Sequence, residues 1–495
     1  MAVSCHFWRK SMFLVGALVV CASASRAADA LFEDVTATHL PALLGLSMDA
    51  AIADFDGDGD LDIVIANEFR PNILLINDGM GGFEDESVAR LPRINRDSED
   101  VAVADFDGNG YPDIVVVTED GLVNELYLNN GSGFFSDASD RLPVTGRSNA
   151  VLAANIGGDP GPDILIGNNG QNVILINDGN GFFVEETSQR LPVMMDSTQD
   201  LELGDVDGDL DLDLLVGNEG RNLLLINNGA GVFSDESDAR IPLRDAPEET
   251  READFGDVNG DGHLDVFFAN VRAFVFTAVA QNRILINDGD GFFSDETAAR
   301  LPVDADNSFD ADFLDVDDDG DEDIVVANLG GLTASESVPY LVYRNDSAGF
   351  FEDATSAFFP SGVFGNGLDI ESADFDGDGR EDLFLSSRAG TDRLLLSTSG
   401  DLFRRGDADL GGSVDLADAL LILFHLSEGV AVDCSDALDA SDDGVLGVQD
   451  ALTILRYLFL ADGLPAAPGP RDCGPDPTDD ALQCRSYDSC GIRGL

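Results

Sequence analysis

The chain has 495 residues and a formal net charge of −68 at pH 7. So acidic a chain excludes nucleic acid and anionic membranes as partners, because both are bound through basic patches. The only tryptophan and the only lysine, Trp8 and Lys10, fall in the first ten residues.

Residues 1–28 read as a signal peptide. Arg9 and Lys10 precede the apolar run "SMFLVGALVVCA", and small residues follow in "SASRAADA", which places cleavage between Ala24 and Ala28. The run is too short for a membrane span, and no later segment could cross a bilayer as a helix. The expectation is a protein secreted or held at the cell surface, extracellular or periplasmic. Removing the signal leaves no lysine for a Schiff base and no tryptophan for sugar stacking. It leaves three histidines, His39, His263 and His425. The remaining cysteines, Cys434, Cys473, Cys484 and Cys490, form an even set in an exported chain, so two disulfides are expected, with three possible pairings.

The segment "LFEDVT" at 31–36 has the look of a lone outer strand. After it comes "DFDGDGDLD", which runs from Asp54 to Asp62. Its carboxylates repel one another in isolation, and a hard cation would turn that repulsion into coordination. Asp54, Asp56 and Asp58 would point oxygens inward, Gly59 would allow the turn, and Asp62 would close the cage. Calcium takes six to eight oxygen ligands in this way. Related loops start at Asp105, Asp205, Asp257, Asp315 and Asp374, with a degenerate copy, "NIGGDPGPD", at Asn155. The starts are 51, 50, 50, 52, 58 and 59 residues apart, so the period signals a solenoid or a propeller.

One unit shows the pattern. In the second, "VAVADF" alternates like an inner strand, "DIVVVT" reads as a buried strand, "NELYLNN" is a third, "NNGSG" is a hairpin turn and "FFSDAS" is a more polar fourth. Four antiparallel strands per unit match a propeller blade. The fourth-strand pattern occurs once more than the loops, through 31–36. Either Phe32 or Phe403 is expected to supply the strand that closes the last blade. Two units carry insertions, at 270–282 with Phe274 and Phe276, and at 328–340. Five residues before each loop start stand Asp49, Asp100, Asp200, Glu252, Asp310 and Asp369, with Ala150 in the third unit. These acids are expected around the channel mouth. The alternative is that they cap strand ends in water.

Loops and strands together resemble the FG-GAP or VCBS repeats of integrin α-subunit propellers and of many exported bacterial proteins, over about 31–403. The resemblance implies calcium held through loop positions 1, 3, 5 and 9 and the carbonyl of position 7. The implied ligand sets are Asp54, Asp56, Asp58 and Asp62, then Asp105, Asp107, Asn109 and Asp113. The fourth unit gives Asp205, Asp207, Asp209 and Asp213, with Leu210 where glycine is usual. The fifth gives Asp257, Asn259, Asp261 and Asp265. The sixth gives Asp315, Asp317, Asp319 and Asp323, and the seventh Asp374, Asp376, Asp378 and Asp382. The third, with Asn155, Gly157, Asp159 and Asp163, is expected to hold no strong site.

After Phe403 the repeat stops. Two acidic loops of twelve residues start at Asp407 and Asp439, and each runs into an apolar helical stretch. The pair resembles a type I dockerin over 406–462. That implies calcium at Asp407, Asp409, Asp415 and Asp418, and at Asp439, Ser441, Asp443 and Asp450. Gly411 and Gly447 stand where acids are usual. It also implies a cohesin-like partner recognised through Leu416, Ala417, Val448 and Gln449. The alternative is a helix pair that only caps the propeller. The "RGD" at Arg405–Asp407 matches an adhesion tripeptide, but Asp407 already belongs to a loop. Residues 463–495 read as an irregular Pro/Gly/Cys-rich tail.

The expected fold is therefore all-β: a seven-bladed propeller of four-stranded antiparallel blades over 29–405, followed by a small α-helical calcium-loop domain. The expected function is an exported calcium-binding, non-catalytic adhesion or ligand-binding protein. Its ligand would be an extracellular glycan or protein. The alternatives are a carbohydrate-active enzyme, lyase or hydrolase, or an accessory subunit of a polysaccharide-degrading assembly, and a structural surface-layer protein.

Overall fold

A computed structural model of the chain describes residues 31–470 except 44–45, 157, 159, 245, 273–277, 304, 317–319, 331–337, 389, 398–403, 431, 433, 443, 461–464 and 466–468. The described residues form seven four-stranded antiparallel units, the first two joined into one larger sheet. In the first unit the strands are Ser47–Ala53, Asp62–Arg70, Ile73–Asn77 and Phe83–Asp85. The first strands of the later units are Arg96–Ala104, Ser148–Ala154, Thr198–Gly204, Thr250–Gly256, Ser308–Leu314 and Gly367–Ala373. Each lies against the next, and the last lies against Ser47–Ala53. The result is a closed, propeller-like repeat of four-stranded sheets.

The second strands explain why the units must stack. Asp113–Thr118, reading DIVVVT, is buried at every position. Such a strand sits inside its own sheet and needs a neighbour on each face. Val115 and Val117 accordingly share one cluster with Ile164 and Ile166 of the next unit. Among the described residues each apolar cluster of the repeats joins two neighbouring units.

The closing strand comes from the N-terminal side. Phe32–Asp34 pairs antiparallel with Arg393–Ser397, Phe32 opposite Ser397 and Asp34 opposite Leu395. Phe32 is 3% exposed, and its ring meets Phe359 edge-on at 5.8 Å. Arg393 pairs with Asp34 at 2.5 Å across the same joint. The seventh sheet thus has its four strands without Phe403, which lies outside the described residues.

Two details depart from a uniform repeat. Asp62–Arg70 runs long, and Glu68 and Arg70 pair with Asp97 and Arg96 of the second unit. The end of the 328–340 insertion is tied down. Val338–Pro339 pairs with Phe364–Gly365, and the buried Tyr340 donates its hydroxyl to the Ser386 carbonyl at 3.0 Å. Phe274 and Phe276 lie outside the described residues.

Beyond the repeats, helices Leu416–Glu428 and Val448–Leu460 pack through Ala419, Ile422, Ala451 and Ile454. The first begins with a capping box, in which Asp415 and Asp418 each accept from the other's end of the turn. Gly429 ends it with φ of 68°. Cys434 is buried and disulfide-bonded; Cys473, Cys484 and Cys490, with the rest of 471–495, and residues 1–30 lie outside the described residues. Among the described residues no helix is long and apolar enough to cross a membrane.

The closure predicts a specific weakness. Replacing Phe32 by Ala should cost about 3–5 kcal/mol, the range for emptying a buried phenylalanine site. A urea titration of the whole chain measures it, and an unchanged midpoint would show that this strand does not hold the ring.

Candidate functional site: the acidic loops and the central cavity

Each acidic loop joins the first strand of its unit to the second. Position 1 organises the turn. The Asp54 carboxylate accepts the Gly57 N–H at 2.8 Å and the Gly59 N–H at 3.1 Å. Asp105, Asp205, Asp257 and Asp374 repeat this, each taking the N–H of the residue five further on. Position 9 is a latch. Asp62 is fully buried and accepts the Phe55 N–H at 3.0 Å and the Asn77 N–H at 2.9 Å. One carboxylate therefore ties the loop to the third strand. Asp113, Asp163, Asp213, Asp323 and Asp382 make both bonds, and Asp265 makes the one to Asn287.

Burial of these latches has an electrostatic cost. It pushes Asp62, Asp113, Asp265 and Asp382 up to about 7, and Asp213 to about 6, against the pull of the backbone N–H groups. A nearby cation acts in the opposite sense and favours the charged form.

The loops differ in how well they gather oxygens. Asp105, Asp107 and Asp113 each place one carboxylate oxygen within 4.8 Å of the others, as do Asp205, Asp207 and Asp213, and Asp374, Asp376 and Asp382. In the first loop the trio is Asp54, Asp56 and Asp58. Asp56 Oδ1 and Asp207 Oδ1 are shielded from water and accept no hydrogen bond. A hard cation supplies what such oxygens lack, so these residues fit calcium. Other positions are turned to different work. The Asn109 amide donates to the Asn129 carbonyl, while its Oδ1 accepts from Tyr111. The Asn259 amide donates to Asp265 at 3.1 Å. Asp261 caps His263, and Asp209 and Asp378 accept from residues two further on. Asp317 and Asp319 lie outside the described residues, while Asp315 accepts the Gly320 N–H.

Two loops with irregular sequences keep the backbone shape. Leu210 takes φ of 73°, where glycine is usual, and still gives its N–H to Asp205 at 2.9 Å. In the third unit Asn155 accepts the Gly158 N–H at 3.0 Å and Asp163 keeps the latch. Asp159 lies outside the described residues.

Neighbouring units are stitched on this same face. Asn129 donates its amide to the Phe55 carbonyl of the preceding loop at 2.8 Å. Asn177, Asn287 and Asn345 do the same to Phe106, Val206 and Val258. Asn77 reaches Phe375 at 2.9 Å and closes the circle. In the first five units an arginine at the end of the short helix after the fourth strand adds a second stitch. Arg90 pairs with Glu86 and with Asp56 of its own loop, donates to the Ser132 carbonyl and sits over Phe134 of the next unit. Arg240 repeats the set with Glu236, Asp207, Asp290 and Phe292. The repeating asparagine and arginine were visible in the sequence, but nothing there assigned them a partner.

Comparison with known proteins matches the same stretches. Residues 54–116, 156–216 and 205–268 match the FG-GAP-like repeat family. The chain carries FG-GAP-like repeats. No curated protein matches it. Among solved structures it is similar to an Agrocybe aegerita lectin described as recognising non-reducing terminal N-acetylglucosamine, at 18% identity over 69% of this chain and 85% of that one, with a TM-score of 0.41. It is also similar to BBS1N in complex with ARL6DN, in a lead-soaked and a mercury-soaked structure. Both are 12% identical over 74% of this chain and 97% of that one, with TM-scores of 0.49 and 0.47. Likenesses this distant do not bear on what this chain binds.

On the inner side of the FG-GAP-like repeats lies a cavity of roughly 390 Å³, lined by Asp49, Asp100, Asp200, Glu252, Asp310 and Asp369. These are the acids five residues before each loop. They do not cap strand ends in water. Each first strand shifts register at this residue, and the acid reaches the N–H just after the shift in the next unit's first strand. Asp49 accepts the Val101 N–H at 2.8 Å, Asp100 that of Val151 at 2.6 Å, and Asp200 that of Ala253 at 3.1 Å. A second acid follows two residues later in four consecutive units: Glu202, Asp254, Asp312 and Glu371. The sequence reading missed this second ring. The alternation in "DLE", "EAD", "DAD" and "DIE" was the signal. Burial and mutual repulsion push these groups up, Asp369 to about 8 and Glu202 and Asp312 to about 7.

The helical module repeats the loop logic in a second setting. Asp407, Asp418, Asp439 and Asp450 are fully buried. Asp418 accepts the N–H groups of Asp409 and Asp415, as Asp450 accepts those of Ser441 and Gly447. Asp407 takes the Gly412 N–H, and Asp439 that of Gly444. Asp443 lies outside the described residues. Arg405 and Asp407 are both buried, so the "RGD" tripeptide presents no adhesive surface.

Two substitutions separate loop shape from cation binding. Leu210→Gly removes a left-handed strain of about 1–2 kcal/mol and adds about 0.5–1 kcal/mol of chain entropy, so a net gain of about 0.5–1 kcal/mol is expected by chemical denaturation. The side chain is 89% exposed, so little packing is lost. Asp163→Ala strands two backbone N–H groups, and the loss of about 2–4 kcal/mol should be the same with and without EGTA.

Proposed function

We propose that the chain is an exported, calcium-binding, non-catalytic adhesion or ligand-binding protein, built as a seven-bladed propeller with a dockerin-like C-terminal module. The observation that supports it is the convergence of carboxylates in the acidic loops, with shielded oxygens of Asp56 and Asp207 left without a donor. Calcium would be held by the loop carboxylates of the first, second, fourth, fifth, sixth and seventh units. It would neutralise charge that the latches and turns have gathered. Propellers host many activities, so the binding assignment comes from the site and not from the fold.

Calcium that binds only the folded chain raises its stability by mass action. A large fall in melting temperature is expected in EGTA, with five or six strong propeller ions counted by equilibrium dialysis. A melting curve that does not move after verified metal removal would overturn the assignment.

A second reading makes the chain an accessory subunit of a polysaccharide-degrading assembly. It rests on the helical module. Leu416 and Val448, which begin the two helices at equivalent places, are 48% and 58% exposed. Leu420, Phe424, Leu452 and Phe459 are exposed as well. An apolar surface of this kind suits a protein partner. The whole chain should bind an immobilised type I cohesin in calcium, and the Leu416→Asp, Val448→Asp double variant should not. Equal retention of both, or of neither, would remove the docking role.

A further inference from the structure

At the start of each first strand two residues stand where the second strand has one. Ser47 lies opposite Asn67 and Asp49 opposite Ala66, which leaves Met48 bulged between them. The same step bulges Glu99, Asn149, Gln199, Arg251, Phe309 and Leu368 in the later units. A bulge re-aims a side chain, and all of these residues line the central cavity. Their flanks are nearly uniform. A serine or threonine precedes the bulge in every unit but the seventh, and an acid follows it in every unit but the third. The bulged residue itself differs in every unit.

These differences are sorted around the ring. Phe309, Leu368 and Met48, from the sixth, seventh and first units, make an apolar arc. Glu99, Asn149, Gln199 and Arg251, from the second to the fifth, make a polar one. The polar arc is held in place. The Asn149 amide donates to the Thr198 carbonyl at 2.7 Å, and the Gln199 amide to the Ser197 hydroxyl at 3.3 Å. Arg251 pairs with Glu219 at 3.1 Å and Glu249 at 2.9 Å, and donates to the Gln199 side-chain oxygen. Its guanidinium lies over the Phe309 ring, 5.3 Å from the centroid. Each amide has donor and acceptor capacity beyond these bonds. Burial, with Glu119, Asp97 and Glu68 close by, pushes Glu99 well above the usual carboxylate range, toward the form that can donate.

An apolar wall facing fixed donors and acceptors suits a ligand that is itself two-sided. A pyranose has that character: C–H bonds cover its faces, and hydroxyls that both donate and accept rim it. The cavity, at roughly 390 Å³, is of the size that takes small molecules. Among the described residues Phe309 is the one aromatic ring in its wall. Acids line the same cavity further along the first strands, so a negatively charged sugar is repelled. Building on the ligand-binding reading, we propose that the bulged ring binds one neutral sugar residue. Its C–H face would lie against Phe309, Leu368 and Met48, and its hydroxyls on Asn149, Gln199 and Arg251. The uniform flanks hold the frame, and the bulged residues decide what is read.

Saturation-transfer NMR on the whole chain in calcium tests this with the methyl glycosides of glucose, galactose, mannose, xylose and galacturonic acid. At least one neutral glycoside should show transfer, and the galacturonide none. Affinity for that glycoside should fall about tenfold, the worth of one good contact, in Phe309→Ala and in Asn149→Ala. Unchanged affinity in a folded variant overturns the ring site, because the sugar then sits elsewhere, and the ligand-binding reading stands. No transfer from any neutral glycoside, or equal transfer from the galacturonide, also overturns it. If neither variant folds, crystals of the unaltered protein soaked in the glycoside decide. Sugar density against Phe309 supports the site, and a cavity without it refutes the site.

Discussion

A carboxylate is among the costliest groups to bury, and each repeat buries one at the ninth loop position. The latch survives because backbone N–H groups meet its oxygens. Asp62 draws Phe55 and Asn77 to one point, so the loop, the second strand and the third strand are positioned together. The loop can then crowd further carboxylates at positions 1 and 3 without coming apart. Order of importance follows from the third unit, where Asn155 replaces an acid but Asp163 stays. The latch is a requirement of the fold, and the remaining acids are an elaboration on it.

From that fixed loop the connections between units follow. With position 2 held in place, its carbonyl is offered to the asparagine of the next unit, and its side chain packs beneath the next fourth strand. Phe55 meets Phe135, Phe106 meets Phe183, and Phe375 meets Phe83, all edge to face. The arginine over Phe134 or Phe292 covers the same joint from outside. Loop, turn and joint thus share one set of atoms. A cation bound at Asp56 or Asp207 would act on the arginine that reaches across the joint.

Much of this was legible because the repeat prints its rules several times. Period, strand order and loop positions follow from residues that recur at fixed offsets, such as Asp54 and Asp62 or Asp105 and Asp113. What stayed hidden depends on partners distant in sequence. Asn77 reads as a turn residue until Phe375 is placed beside it, 298 positions away. Asp49 reads as an acid of the channel mouth, but its bond to the Val101 N–H, 52 positions away, cannot be read from either segment. The choice between Phe32 and Phe403 could not be made locally, since both follow the same pattern and only pairing with Arg393–Ser397 distinguishes them. Leu210 departs from the usual glycine, and only the structure shows that the backbone takes φ of 73° there and keeps its bond to Asp205.

The pairing of Phe32–Asp34 with Arg393–Ser397 also sets an order of events. The strand leaves the ribosome first and finds its place last, after more than three hundred residues have been made. Until then the seventh sheet has an open edge, and open edges recruit other strands. Contacts of such long sequence separation form slowly. That delay keeps the ring from shutting before its last unit arrives. The corresponding hazard is exchange. At high concentration the strand of one molecule can complete the ring of another, so rings closed in trans are the misfolded form this architecture invites.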